Sequence, residues 1–148
     1  MKYINCILKH NAKLPAKKYS TSDAGWDLFV SEDVTIPPHK TIDIHTNVFI
    51  DMPPFVYGRI VGRSSTMRKH HLLVNEGIID NGYTGELFVC ITNIGDEPFK
   101  VKMGMRLAQI LFARIEDIRW AEVSEFTSHK SRGNAGFGST GMYELEEE

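Results

Sequence analysis

Cysteine is scarce in this chain of 148 residues, which contains two, Cys6 and Cys90. Each lies in an alternating apolar segment, so we predict two reduced thiols in the core rather than a disulfide framework. The adjacent pair His70 and His71 has no cysteine nearby, and no Cys/His spacing is typical of a zinc site. These shortages argue against a disulfide-rich secreted module and against a zinc module.

Long apolar runs and an excess of positive charge are missing as well. No segment approaches the roughly 20 apolar residues of a membrane span, and residues 1–10 lack the apolar run of a signal peptide. The formal net charge is −2, whereas broad binding to nucleic acid needs many cationic contacts to phosphate. We therefore expect no membrane and no direct nucleic-acid partner, and a cytoplasmic location, or the host cytoplasm if the chain is viral.

Alternation of polar and apolar residues with period two dominates the sequence. It predicts short strands, separated by Pro-Pro, Asn-Gly and Gly-Asp turns, within 3–8, 42–50, 56–61, 86–91 and 106–112. One short helix is predicted from Ser64 to His71, with serine as a possible cap. The pattern indicates an all-β fold, a sandwich or barrel of many short strands.

The C-terminal segment has a different composition. From Thr127 to Gly141 it is rich in glycine and holds one large apolar residue, Phe137, so it cannot build a core. We predict a β-rich catalytic domain at 1–126 and a flexible arm at 127–148. The arm is either a disordered tail or a lid that closes over a ligand.

The segment from Gly77 to Glu86 carries the first candidate site. Asn81-Gly82 between apolar runs predicts a β-hairpin with a type I′ turn. Asp80 and Tyr83 would flank that turn and point to the same face of the sheet. The alternative is that Asp80 only supports the turn.

Two further segments suit an anion. Arg63-Ser64-Ser65 precedes the predicted helix and offers a cation and two hydroxyls, although serines there often serve only as caps. Residues 132–141 combine Arg132, glycines whose N–H groups can approach phosphate, and the hydroxyls of Ser139 and Thr140. Phe137 is then available to stack on a base.

Two polar positions on predicted strands complete the set. Asp27 begins a strand and could face the water shell of a metal ion, or serve turn chemistry with Asp23. Arg106 and Gln109 are predicted on opposite faces of a strand, and Gln109 needs partners if it is buried. A satisfied core glutamine is the alternative.

Taken together, five segments in this order resemble the motifs of the trimeric dUTPases. They are 23–28, 63–65, 77–85, 104–109 and 132–141. The resemblance implies a jelly-roll-like all-β fold and magnesium-dependent hydrolysis of dUTP to dUMP and pyrophosphate, which supplies dUMP and limits uracil in DNA. It also implies a homotrimer whose C-terminal arms are exchanged. Gly62 stands where the family usually has proline, which affects details of the phosphate loop.

The resemblance also assigns roles to residues. Asp80 would orient and activate the attacking water, and Tyr83 would exclude a ribose 2′-hydroxyl. The uracil and the nucleoside would be contacted by Gly77, Ile78, Ile79 and Asn75, with Phe137 stacked over the base. The phosphates would be contacted by Arg63, Ser64, Ser65, Gln109, Arg132, Gly138, Ser139 and Thr140. The Mg²⁺ cofactor would be held mainly by the phosphates, with Asp27 acting through water.

Two alternatives remain at this point. The first is a dCTP deaminase of the same fold, which would release ammonia from dCTP. The second is a regulatory protein that uses the nucleotide-bound state to engage a partner.

Overall fold

The computed structural model describes residues 2–128 and 130–137, in two compact units, Met1–Glu116 and Asp117–Glu148. The described part of the second unit contains neither helix nor strand, and nearly all of its residues are exposed. The predicted domain boundary after residue 126 stays a prediction. The described helix is far too short to cross a membrane.

The first unit is built from strands, as the alternation predicts. In the described residues one helix, α1 (Ser64–His70), accompanies ten strands: β1 (Asn5–Leu8), β2 (Trp26–Phe29), β3 (Val34–Ile36), β4 (Thr41–Asp51), β5 (Val56–Gly62), β6 (Leu72–Val74), β7 (Gly77–Ile79), β8 (Glu86–Asn93), β9 (Phe99–Val101) and β10 (Arg106–Arg114). The predicted all-β fold with one short helix is therefore confirmed.

Two antiparallel four-stranded sheets enclose the core. Their strand orders are β1-β4-β8-β6 and β2-β10-β5-β7, and β3 and β9 form a small separate pair. Alternate residues of β4 and β8 are buried, and they join buried residues of β2, β5 and β10 in one apolar cluster. Burial alternates with period two because successive side chains of a strand point to opposite faces of the sheet.

Helix α1 lies where the sequence predicts it, but its cap differs. The N-cap is Arg63, without a side-chain cap bond, so the predicted serine cap is wrong. Buried Thr66 anchors the helix, because its hydroxyl donates a 2.8 Å hydrogen bond to the carbonyl of Leu107. The helix ends at His70, and its C-cap, His71, takes a left-handed conformation with φ 54°.

The predicted core position of both cysteines is wrong for Cys6. Cys6 is exposed on β1, an edge strand whose four residues are all exposed, whereas Cys90 on β8 is half-buried. Both thiols are free. Alternation in β1 therefore indicates a strand without indicating that one face of it is covered.

The predicted hairpin is also wrong. β7 pairs with β5, while β8 pairs with β4 and β6 in the other sheet. The Tyr83 N–H donates to the Asp80 carbonyl at 2.9 Å, but neither Asn81 nor Gly82 has the positive φ of a type I′ turn. The reason lies in the Asn81 side chain, which donates 2.8 Å hydrogen bonds to the carbonyls of Pro53 and Val56. The conformation of this turn is therefore determined by hydrogen bonds to Pro53 and Val56 and not by the twist of a hairpin.

Candidate functional site

Two clefts in the first unit gather most of the predicted site residues. The larger, here called the arginine cleft, has a volume of about 430 Å³ and is lined by Ala16, Lys17, Lys18, Tyr19, Asp23, Ala24, Gly25, Asp27, Arg63, Ser64, Arg106 and Gln109. The smaller, the turn cleft, has a volume of about 200 Å³ and is lined by Ile60, Gly77, Ile78, Ile79, Asp80, Tyr83, Glu86 and Phe88. The two share no lining residue.

Asp27 organises the arginine cleft. Arg63 Nε lies 2.8 Å from Asp27 Oδ1, and Arg106 Nη1 donates to Asp27 Oδ2 at 3.1 Å. Arg63 also donates to the backbone carbonyl of Arg106 at 2.9 Å. The strand order β2-β10-β5 brings the three residues together. Two guanidinium groups thus share one carboxylate, which leaves positive charge for an anionic ligand.

A bulge in β10 decides which side chains reach this cleft. Arg106 is opposite Phe29 and Ala108 is opposite Leu28, so the register shifts by one residue between them. Leu107 and Ala108 are both buried in consequence, and Arg106 and Gln109 both line the cleft. The prediction that they lie on opposite faces is wrong, because a bulge adds one residue and resets the alternation.

Gly25 gives Gln109 its place. The Gln109 amide Nε2 donates to the Gly62 carbonyl at 3.1 Å, which satisfies one donor of this half-buried side chain. A Cβ at position 25 would lie 2.3 Å from Gln109 Oε1. A side chain at position 25 would therefore displace Gln109, the predicted phosphate ligand, from its present position.

Two lysines that no sequence motif predicts also line this cleft. Lys17, Lys18 and Arg106 line the cleft beside Arg63, so its lining holds four cations and two carboxylates, those of Asp23 and Asp27. The Ala16 carbonyl accepts the Asp27 N–H at 2.7 Å. This bond places the next two residues, Lys17 and Lys18, at the cleft. The signal available was a pair of lysines shortly before the 23–28 segment.

The two predicted serines differ in position. Ser64 lines the arginine cleft, whereas half-buried Ser65 does not. The cleft therefore brings together Arg63, Ser64, Gln109 and Asp27 from the predicted set.

In the turn cleft, the predicted pair of carboxylate and phenol is present. Asp80 and Tyr83 both line it and both are exposed, and the Tyr83 hydroxyl donates to the Glu86 carbonyl at 2.8 Å. β7 forms another wall and lies at the edge of its sheet, next to β5 only. An edge strand offers unpaired backbone donors and acceptors, which suit a flat ligand with a polar rim.

Glu86 and Phe88 are cleft residues that the sequence analysis did not single out. The Glu86 carboxylate, 12% exposed, accepts the Asn47 N–H at 2.9 Å and lies 3.0 Å from His45 Nδ1. The hydrogen bond to Glu86 raises the pKa of His45 above its usual value. A glutamate after a glycine at a strand start gave no signal of this role.

Asn75 lines neither cleft. Its amide donates to the Thr92 hydroxyl at 3.0 Å and lies 3.6 Å from Cys90 Sγ. Burial raises the pKa of that thiol. In this structure Asn75 ties the segment between β6 and β7 to β8, and its predicted contact with a nucleoside stays a prediction.

The predicted arm residues belong to the second unit. There Arg132 Nε donates to the Ala135 carbonyl at 2.7 Å, and Phe137 is fully exposed with φ 49°. Gly138, Ser139 and Thr140 lie outside the described residues.

A metal ion would find few protein ligands. In residues 2–128 and 130–137, no group of three His, Cys, Asp or Glu side chains could hold a metal. Both oxygens of Asp27 already contact arginines. A divalent cation therefore fits here only when another ligand supplies most of its oxygens.

Comparison with known proteins agrees with this architecture. The dUTPase family model matches residues 10–141. A deoxyuridine 5′-triphosphate nucleotidohydrolase of Swinepox virus is 37% identical over 141 residues, 95% of this chain and 98% of that protein. A variant dUTPase of Staphylococcus bacteriophage 80alpha with dUpNHpp has a TM-score of 0.89 at 28% identity and covers 95% of this chain and 99% of its own.

A second solved structure adds a metal. It is a variant dUTPase from phage phi11 of S. aureus, described as revealing the coordination of a structural Mg(II) ion. Its TM-score is 0.78 at 26% identity, covering 84% of this chain and 98% of that one. The chain belongs to the dUTPase family, which confirms the resemblance and the jelly-roll-like fold.

Proposed function

We propose that this protein hydrolyses dUTP to dUMP and pyrophosphate. The observation that carries the proposal is the turn cleft, where Asp80 and Tyr83 stand beside the free edge of β7. Membership of the dUTPase family supports it, as does dUpNHpp, an analogue of dUTP, in a similar phage enzyme.

The turn cleft suits the nucleoside. Backbone groups of Gly77, Ile78 and Ile79 at a sheet edge can pair with the uracil rim, as an added strand would. Cytosine is then disfavoured, because its exocyclic amine reverses a donor and an acceptor. The Tyr83 hydroxyl donates to the Glu86 carbonyl, and the ring held in this way would exclude a ribose 2′-hydroxyl.

The arginine cleft suits the triphosphate. Arg63 and Arg106 are already oriented by Asp27, so little side-chain freedom is lost when phosphate oxygens arrive. Ser64 and Gln109 add polar groups on the same wall. We propose that Ser65 also contacts a phosphate, because it directly follows Arg63 and Ser64, which line the cleft.

Mg²⁺ fits this site as an ion carried by the substrate's phosphates. Asp27 would reach it through water, because its oxygens are shared with two arginines. When bound, the ion supplies charge neutralisation on the phosphates.

These positions support the following reaction. Asp80 accepts a hydrogen bond from a water molecule and directs its oxygen at the α-phosphorus. A phosphorus–oxygen bond forms to water, the bond to the β-phosphate bridge breaks, and the proton passes to Asp80 and then to solvent. Arg63 and Arg132 offset the negative charge that develops on the departing pyrophosphate.

We also propose a homotrimer in which different protomers supply the two clefts and exchange their arms. The resemblance to the trimeric dUTPases, in five segments that occur in the family's order, supports this. Phe137 would stack over uracil, and Arg132, Gly138, Ser139 and Thr140 would close on the phosphates. Deletion of residues 132–148 is then expected to abolish turnover without unfolding the first unit.

The product assay tests the function. Purified protein with Mg²⁺ is expected to release pyrophosphate from dUTP and no ammonia from dCTP. Ammonia from dCTP would establish the deaminase instead, and no turnover of either nucleotide would refute hydrolysis.

Complementation tests the shared site. Asp80→Asn is expected to be nearly inactive, and Arg63→Ala is expected to lose most of its activity. If one protomer supplies Asp80 and another supplies Arg63, refolding the two variants together restores part of the activity. Light scattering measures the oligomer in the same sample. No recovery in a mixed trimer would contradict the shared site.

A further inference from the structure

A residue outside the turn cleft contacts two residues that line it. Glu86 and Phe88 lie on β8 and form one wall. His45 on β4 places Nδ1 3.0 Å from both carboxylate oxygens of Glu86, and its ring centroid lies 4.9 Å from that of Phe88. His45 itself does not line the cleft.

The same carboxylate fixes an irregular stretch of β4. The register between β4 and β8 shifts between His45 and Phe49, and Asn47 has φ 53°. Glu86 Oε1 accepts the Asn47 N–H at 2.9 Å. A largely buried carboxylate is thus held by two donors, and loss of either leaves it poorly satisfied.

The contact continues into the cleft through the backbone. The Glu86 carbonyl accepts the Tyr83 hydroxyl at 2.8 Å. Any shift of Glu86 at the start of β8 therefore moves the acceptor that sets the Tyr83 ring. His45, Glu86 and Tyr83 form one connected chain of hydrogen bonds from β4 to the cleft.

We propose that His45 is a positioning residue for the nucleoside end of the site, acting through Glu86 on Tyr83. This role rests on the proposed function, because it concerns how tightly the deoxyribose is fitted. It predicts that His45 governs KM for dUTP and discrimination against UTP, while kcat is set elsewhere, at Asp80.

The charges around His45 make the role dependent on pH. Two acids lie near it in the described structure, Glu86 from β8 and Glu32, whose Oε1 accepts the backbone N–H of His45 at 3.0 Å. The hydrogen bond to Glu86 raises the pKa of His45 most, and Glu32 adds to it. The ion pair is therefore complete below the usual histidine pKa and is lost as the pH rises through the raised one. Neutral histidine can still donate, so the contact weakens and does not vanish.

Replacement of His45 by glutamine separates the charge from the hydrogen bond. His45→Gln keeps an amide donor but cannot titrate. The matched control is His39→Gln, because His39 is exposed, lies 3.1 Å from an acid, Asp96, and lines neither cleft. Steady-state hydrolysis of dUTP is measured across the histidine range of pH.

In wild type and His39→Gln, we expect KM to rise with pH by roughly twofold to fivefold, the size typical of an exposed ion pair. Part of any pH dependence belongs to the nucleotide, and the control shares it. In His45→Gln, we expect KM to lose the part of its pH dependence that does not come from the nucleotide, with kcat unchanged. An identical KM profile in His45→Gln and His39→Gln would overturn the proposal.

His45→Ala removes the donor and the ring together. We expect its KM for dUTP to rise and its preference for dUTP over UTP to fall, each roughly twofold to fivefold. Unchanged preference in a folded variant would also overturn the role, and if the variant does not fold, the His45→Gln profile decides. Wild-type protein without dUTP turnover would refute the proposed function itself. Normal wild-type turnover, with KM and nucleotide preference unaltered in the His45 variants, would refute only the role of His45.

Discussion

The two clefts of this molecule are held in different ways. In the arginine cleft, one carboxylate, Asp27, binds two guanidinium groups, and Gln109 is fixed against the backbone of Gly25 and Gly62. In the turn cleft, Asp80 is exposed and Tyr83 is held by one side-chain hydrogen bond. The first is pre-organised for charge, while the second leaves its reacting carboxylate open to water and ligand.

Substitutions in the two clefts are therefore expected to affect the protein in different ways. A site held by ion pairs loses both orientation and charge when one member is removed. A site held by few bonds loses chemistry when its acid is removed, with little effect on folding. Substitutions in the two clefts should therefore separate a loss of orientation and charge from a loss of chemistry.

The largest effect is expected at the open carboxylate. Asp80→Asn keeps the shape of the turn but removes the base, so kcat for dUTP should fall roughly 10³-fold, within the range for general-base residues. Binding of dUpNHpp, measured by calorimetry, should stay close to wild type. Turnover within tenfold of wild type would remove Asp80 from the mechanism.

A smaller effect is expected in the ion-paired cleft. Arg63→Ala leaves Asp27 with Arg106 alone and removes a phosphate contact, so kcat/KM should fall roughly 30- to 100-fold. Arg59→Ala is the control, since Arg59 forms an exposed pair with Glu76 outside both clefts. Equal losses in the two variants would show that general charge, not the cleft, governs binding.

Stability should distinguish the close contact at Gly25 from an open glycine. Gly25→Ala forces a Cβ against Gln109, whose flexible side chain must then move and lose its hydrogen bond to Gly62, so the free energy of unfolding should fall by about 1 kcal/mol. Gly82→Ala meets no atom within 4 Å and should change little. Urea denaturation of both variants tests this, and an unaltered midpoint for Gly25→Ala would contradict the packing argument.

Alternation in the sequence predicts most of the fold, because burial of one face imposes period two on β4 and β8. It could not predict the bulge that turns Arg106 to the same side as Gln109, since a bulge depends on the neighbouring strands. It also missed the separation of β7 from β8, which Asn81 fixes through bonds to residues far away in the chain. Asp80, Arg63 and Gln109 were found as local motifs, whereas Lys17 and Glu86 enter only through tertiary pairing.

The smallest effect concerns the single bond that holds the sugar-facing ring. Tyr83→Phe keeps the ring and removes the hydroxyl that donates to the Glu86 carbonyl. One hydrogen bond contributes about 1 kcal/mol, so the ratio of kcat/KM for dUTP to that for UTP should fall roughly threefold to fivefold, with kcat for dUTP preserved. Tyr57→Phe is a suitable control, since Tyr57 lines neither cleft. A loss of kcat without a change in the ratio would mean that the hydroxyl serves the chemistry and not the fit of the sugar, and the contrast between an open acid and a lightly held ring would fail.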